Sequence, residues 1–364
     1  MVFCPTGGKR VRPQPPADVT LTLRSLGVLS AETECMKVVP AIASIAGLVL
    51  IGALIGHFGA DAVLSSLRAI GWTGFSLVCL VHMAVISVEG IAWRLLVTGT
   101  PWWIFLTGRL VRDAGSELLP FSQMGGCVLG ARIVTLAGVR GTVAAASTMA
   151  DLTLEFFAKL AYIALGISLL ILLRPDAPLA LPITVGLGTT GLFAFAFVIL
   201  QRHGLNLFDR LVSTIGRGWA ERTAAGAAAL HTALAEIYER RIGLLGGFVL
   251  HLICWIASAV EVWIALRFAQ IPLGFSTIVV IESLLYALRT AAFAIPNAIG
   301  VQEGAYVLLG ATFGLTPEMA LAISLLKRAR DLVLGLPALG VWQALEGGYL
   351  WGRMARPAGR REGP

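Results

Sequence analysis

Asp151, Glu155 and Lys159 are spaced four residues apart, so on a helix they share one face, in the middle of a stretch that is otherwise apolar from 141 to 173. An ionisable side chain at membrane depth costs about 2.5–3.5 kcal/mol on insertion scales, so such groups must be paired or wet. Two readings are open. They form a polar wall of a translocation pathway with a proton-coupling carboxylate, or they form an intrahelical Glu155–Lys159 pair with a structural bridge to the other half of the chain. Lys327, Arg328, Arg330 and Asp331 interrupt the last apolar helix, 317–349, in the same way. A guanidinium matches phosphate in a bidentate fork, so Arg328 or Arg330 could grip a phosphate; alternatively they neutralise Asp151 and Glu155. Lys159, Lys327, Arg328 and Arg330 outnumber Asp151, Glu155 and Asp331, which predicts a net positive site.

Other charges have plainer readings beside their functional ones. Arg109, Arg112 and Arg132 flank a break near residue 120 and could collect anionic headgroups, but basic residues at that level are also ordinary interfacial anchors, the reading favoured for Arg109. Glu303 follows a second break and could carry protons or bind a cationic group; the plain alternative is capping the free N–H groups of the helix that starts there. Glu261, Glu282 and Arg289 are single intramembrane charges, with Glu282–Arg289 the expected pair. Gln123, Asn297 and Gln302 suit broken backbone. No metal, cofactor, nucleotide or catalytic-triad pattern is found, and the five widely spaced cysteines indicate neither a disulfide frame nor a zinc site.

The elements that must position these groups follow from composition. Of 364 residues, 57% are hydrophobic and 13% charged, and the mean hydropathy is +0.82, which excludes a water-clothed globular fold. Spans are predicted at 38–57, 71–97, 141–173, 179–200, 242–270 and 317–349. Segment 104–139 is too charged for a good span and breaks around Pro120, Gly125 and Gly126; segment 277–313 breaks around Pro296, Asn297 and Gly300. Irregular backbone at membrane depth must face protein or a wet cavity, so both read as re-entrant hairpins pointing inward.

The predicted fold is thus an all-α polytopic membrane protein of about six transmembrane helices and two hairpins. A polar basic arm (1–37) precedes a first half (38–200); an amphipathic insert (201–241), its Ala-rich helix on or near the membrane surface, leads to a second half (242–349) and a basic tail (350–364). Met36-Lys37 stands where a natural start would sit, so residues 1–35 are expected to be an extension. Arm, insert and tail hold 15 of the 28 lysines and arginines, which places both termini and the insert in the cytoplasm. Parity then requires the hairpins to enter from opposite faces, so the halves are inverted. Pro120 and Gly138 are 18 residues apart, as are Pro296 and Gly314, and an acid follows each proline by 35 residues, Glu155 and Asp331. Inverted halves with broken helices are a construction of secondary transporters.

The segments LLPFSQMGGCVLGARIVTLAGV (118–139) and IPNAIGVQEGAYVLLGATFG (295–314) resemble the two signature blocks of the lysylphosphatidylglycerol synthase transmembrane, flippase-like family. GARIVTLAG is most similar to its hopanoid-associated, HpnL-like members, and the P-x-x-x-G-x-x-E-G block from Pro296 to Gly304 is the most specific part. The resemblance raises Arg132 among the candidate substrate residues. It implies a bacterial inner-membrane protein that moves a lipid between leaflets or presents it to lipid-biosynthesis enzymes, with membrane lipids rather than nucleic acid as partners. Alternative classes are a lipid-headgroup transferase and a scaffold. The chain ends 15 residues after Tyr349, so no aminoacyl-transferase domain and no enzymatic activity are expected.

Overall fold

The computed structural model describes residues 52–119, 122–174, 217–292 and 295–354, with isolated positions at 49, 188, 191, 192 and 195. All regular structure among them is helical: α1 (Ala60–Arg94), α2 (Trp102–Leu118), α3 (Ser122–Leu136), α4 (Gly141–Leu173), α5 (Arg217–Tyr238), α6 (Arg241–Phe268), α7 (Phe275–Ala291), a 3₁₀ turn at Pro296–Ala298, α8 (Val301–Thr312) and α9 (Pro317–Met354). Among the described residues, α1, α4 and α6 are long and apolar enough to cross a membrane. Leucines, isoleucines and valines such as Leu80, Val128, Leu172, Ile242 and Leu308 stand exposed on the outside, as lipid-facing residues do.

Most expected boundaries fall within a few residues of these helices, and the differences have local causes. Helix α1 begins at residue 60, not 71, because Val63 and Ile70 bury one side of a polar turn region; the chain then changes direction at Gly71, whose φ of 68° suits glycine. The insert helix α5 packs one face against the helical bundle. Ala233, Leu234 and Ile237 are buried in a cluster with Trp93, Phe105 and Ala146. The expected arm, most of span 38–57, span 179–200, residues 201–216, Pro120 and most of the tail lie outside the described residues.

Both hairpins form, by different means. In the first, α2 and α3 run antiparallel in close contact. A Cβ on Gly126 would stand 2.1 Å from Ser116 Oγ and 2.3 Å from the Arg112 carbonyl oxygen, and one on Gly130 would stand 3.0 Å from Gly108 O. Small residues let the two backbones approach this closely. Gly125 and Gly126 therefore belong to helix α3, not to the break, which lies between α2 and α3; at Gly126 the residue type serves packing and not turning. In the second hairpin Asn297 (φ 49°) and Gly300 (φ 84°) adopt left-handed backbone and Pro296 opens the 3₁₀ turn, as expected of a break there.

The two halves repeat one order of elements at an offset of about 176 residues. Gly138 and Gly314, each with positive φ, close the hairpins 176 residues apart, and α4 and α9 start 176 residues apart. Helices α1 and α6, which precede the hairpins, pack together: Gly243 meets Leu95, Cys254 meets Val85, Glu261 meets His82 and Gly74 meets Phe268. That descending register makes α1 and α6 antiparallel, so the halves are inverted. The first limb of each hairpin lies against the long helix of the other half, α2 on α9 through Gly335 and Leu118, α7 on α4 through Ser283 and Gly166. The polar segments of both halves are thereby brought together.

Candidate functional site

Between the halves lies a cavity of about 280 Å³, lined from α1, α2, α4, α6, α7, α9 and the second break. Its charged lining comprises Arg109, Arg112, Lys159, Arg289 and Arg330 with Glu89, Asp113, Glu117, Glu155, Glu261 and Asp331, so carboxylates outnumber cations by one. The expected net positive site is overturned. Helical spacing shows only acids on the same helix, whereas Glu89, Asp113, Glu117 and Glu261 arrive from α1, α2 and α6.

On the first half, Arg109 and Arg112 project from α2, three residues apart and almost wholly buried. Arg109 donates to both Glu155 oxygens at 3.0 and 3.2 Å and to Asp113 at 3.0 Å, and lies 3.1 Å from Glu89. Arg112 donates to Asp151 at 2.6 Å and also to Glu155. Asp151 is fully buried beside His251 Nε2, 2.9 Å away, and does not line the cavity. The interfacial-anchor reading of Arg109 fails: a guanidinium surrounded by four acids is held in the interior. The intrahelical Glu155–Lys159 pair does not form either, because the two arginines occupy Glu155.

The second half has a similar plan with the charges exchanged. Cations now lie on the long helix α9, and acids on α6, α7 and α8. Lys327 donates to Glu282 at 2.5 Å, with Tyr306 donating to the same carboxylate. Arg330 pairs with Glu261 and, at 2.6 Å, with Asp331; His82 stands 2.9 Å from Glu261. Arg328 donates to Glu303 at 3.1 Å and to the Asn297 carbonyl oxygen at 3.1 Å. Glu303 also accepts the Gly300 N–H at 2.8 Å, the capping role that was the plain alternative to its expected place in the substrate site, and Gln302 reaches Ser324. Of the residues proposed from sequence, the cavity wall therefore collects Glu155, Arg330, Asp331 and Asn297, whereas Arg328, Glu303 and Lys327 brace the second hairpin behind it. Neither Asp151 nor Glu155 pairs directly with the 327–331 cluster.

Arg132 is set elsewhere. It pairs with Glu346 at 2.7 Å over the Tyr349 ring, on a third-exposed surface position of α3, away from the cavity. The expected Glu282–Arg289 pair is also replaced. Arg289 donates from Nη2 to both Glu117 oxygens at 3.2 Å and to Asn297 Oδ1 at 3.0 Å, while Asn297 Nδ2 donates to the Glu117 carbonyl oxygen at 2.9 Å. Glu117 lies one residue from the end of α2 and Asn297 lies in the second break, so this cluster ties the two hairpin tips together at the cavity. Glu89, His251 and Glu117 were missed from sequence. A lone acid within a predicted span is a signal that could have found Glu89.

The residues present form no cluster of metal ligands among those described. The polar cavity can instead hold a charged or polar headgroup between two antiparallel halves. Comparison with curated proteins and with solved structures returns no significant match. The family profile described as lysylphosphatidylglycerol synthase TM region matches residues 40–338, which include both hairpins, the cavity and every ion pair at it. The chain is a multi-pass membrane protein that belongs to the lysylphosphatidylglycerol synthase TM-region family.

Proposed function

We propose that the protein carries a lipid between the leaflets of the bacterial inner membrane by alternating access, with both termini in the cytoplasm. One observation carries this reading: two inverted halves bring their broken helices to a shared polar cavity, and the hairpin tips meet there through Glu117, Arg289 and Asn297. Broken helices at the interface of inverted repeats give a transporter a site reachable from either face in turn. The ion pairs that cross the cavity have two uses. They keep charged groups tolerable at depth, and those at the tips can exchange partners when one half rocks against the other. The reading assigns no bond-making chemistry to the chain.

The lipid is a phospholipid, a polyprenyl-linked lipid or, following the HpnL-like resemblance, a hopanoid. The test is reconstitution into vesicles with fluorescent lipids of each class, scored by the fraction that an impermeant quencher reaches. Protein-dependent exposure of inner-leaflet lipid is expected for one class. Vesicles in which every class stays as protected as in protein-free controls would overturn the proposal.

A further inference from the structure

Lys159 is the cavity-lining cation that makes no ion pair among the described residues; Arg109, Arg112, Arg289 and Arg330 each have a carboxylate partner. Its ammonium instead lies 4.9 Å over the Trp255 ring. Trp255 meets Tyr286 edge to face at 4.6 Å, and the Arg289 guanidinium lies 5.8 Å over Tyr286. Lys159 and Arg289 thus ride on the two rings of one aromatic pair, with Lys327, committed to Glu282, also 5.5 Å over Tyr286. Ring faces attract cations without neutralising them. Arg289 spends only Nη2 on Glu117 and Asn297 among the described residues, leaving Nε and Nη1 uncommitted. Glu155, on the same helix as Lys159, is engaged by Arg109 and Arg112, and Glu117 by Arg289, so Lys159 has no carboxylate of its own among the described residues.

We propose that Lys159 and Arg289, seated on Trp255 and Tyr286, form the binding site for a phosphate ester, supplied either by a lipid headgroup or by a soluble phosphate ester. A phosphate would accept hydrogen bonds from the ammonium and from the free edge of the guanidinium, and would supply the counter-charge that Lys159 lacks. This assignment deepens the transport reading and rests on it for the lipid arm alone. It takes the place of the expected Arg328 or Arg330, because Arg330 is engaged by Glu261 and Asp331, and Arg328, held by Glu303 and the Asn297 carbonyl oxygen, does not line the cavity.

The delipidated full chain is titrated, by native mass spectrometry, with phosphatidylglycerol, with diacylglycerol of the same acyl chains, and with glycerol phosphate. Wild type is expected to hold phosphatidylglycerol about tenfold more tightly than diacylglycerol, the difference a charge-assisted hydrogen bond makes. Lys159→Met, which keeps the stem and breaks no ion pair, should lose that preference, and Lys159→Arg should keep it. Lys159→Gln serves if the methionine variant does not fold. Equal preference in wild type and the neutral variants would overturn the site. Glycerol phosphate bound as tightly as the lipid, and lost with Lys159→Met, would uphold the phosphate site while removing the lipid-transport reading.

Discussion

Replacing Glu282 by leucine strips Lys327 of its carboxylate at a place where neither group reaches water: the side chains are 0% and 4% exposed. At their 2.5 Å separation the gross attraction is about 7 kcal/mol at an effective dielectric constant of ~20. Desolvation of both ions offsets most of that, yet removing one partner leaves the other buried and uncompensated, at a cost of about 3–5 kcal/mol. The double variant Glu282→Leu/Lys327→Met removes both charges and fills similar volume, so it should return to within about 1–2 kcal/mol of wild type. Unfolding in mixed micelles by titration with dodecyl sulfate, on Glu282→Leu, Lys327→Met and the double, measures the coupling. A double variant no more stable than Glu282→Leu, with coupling under about 1 kcal/mol, would refute the pairing and the charge-exchanged plan of the second half.

Gly126→Ala should abolish folded protein, because its methyl would sit 2.1 Å from Ser116 Oγ and 2.3 Å from backbone; Gly304→Ala, with nothing within 4 Å, should be tolerated, and size-exclusion profiles compare the two. In a cysteine-free background, Thr98→Cys and Arg240→Cys should react with an impermeant maleimide from one face, and Arg174→Cys and Gln270→Cys from the other; labelling of all four from one face contradicts the antiparallel α1–α6 packing. Arg132→Ala should leave lipid movement and expression unchanged, since Arg132 pairs only at the surface; loss of transport in the vesicle assay would return it to the site.

Much of the fold was legible in the chain because the membrane reduces the alternatives. A 33-residue apolar stretch such as Gly141–Leu173 can satisfy its backbone in lipid only as a helix, so its boundaries follow from composition. The Pro296–Gly300 break was legible for a related reason: proline, asparagine and glycine have backbone preferences that act locally, and Asn297 and Gly300 adopt the positive φ those preferences allow. Gly126 misled because glycine also serves close packing, and only the position of α2 shows which use applies.

Charge partners were the least legible part. Four-residue spacing correctly placed Asp151, Glu155 and Lys159 on one helix, but an ion pair at depth is selected by which helices meet, and the spacing contains no information about that. A membrane-embedded helical chain, two breaks and the demand that interior charges be compensated could be read from the residues alone, since each follows from transfer cost or local backbone preference, and the inversion of the halves from where the lysines and arginines fall. It took the packed helices to show that Arg109 and Arg112 turn inward to Asp151 and Glu155, that Lys327 meets Glu282, and that Arg289 ties the hairpin tips together. These pairings depend on distances of about 3 Å between residues up to 172 positions apart, which are set by the packing of inverted halves and by nothing local to either residue.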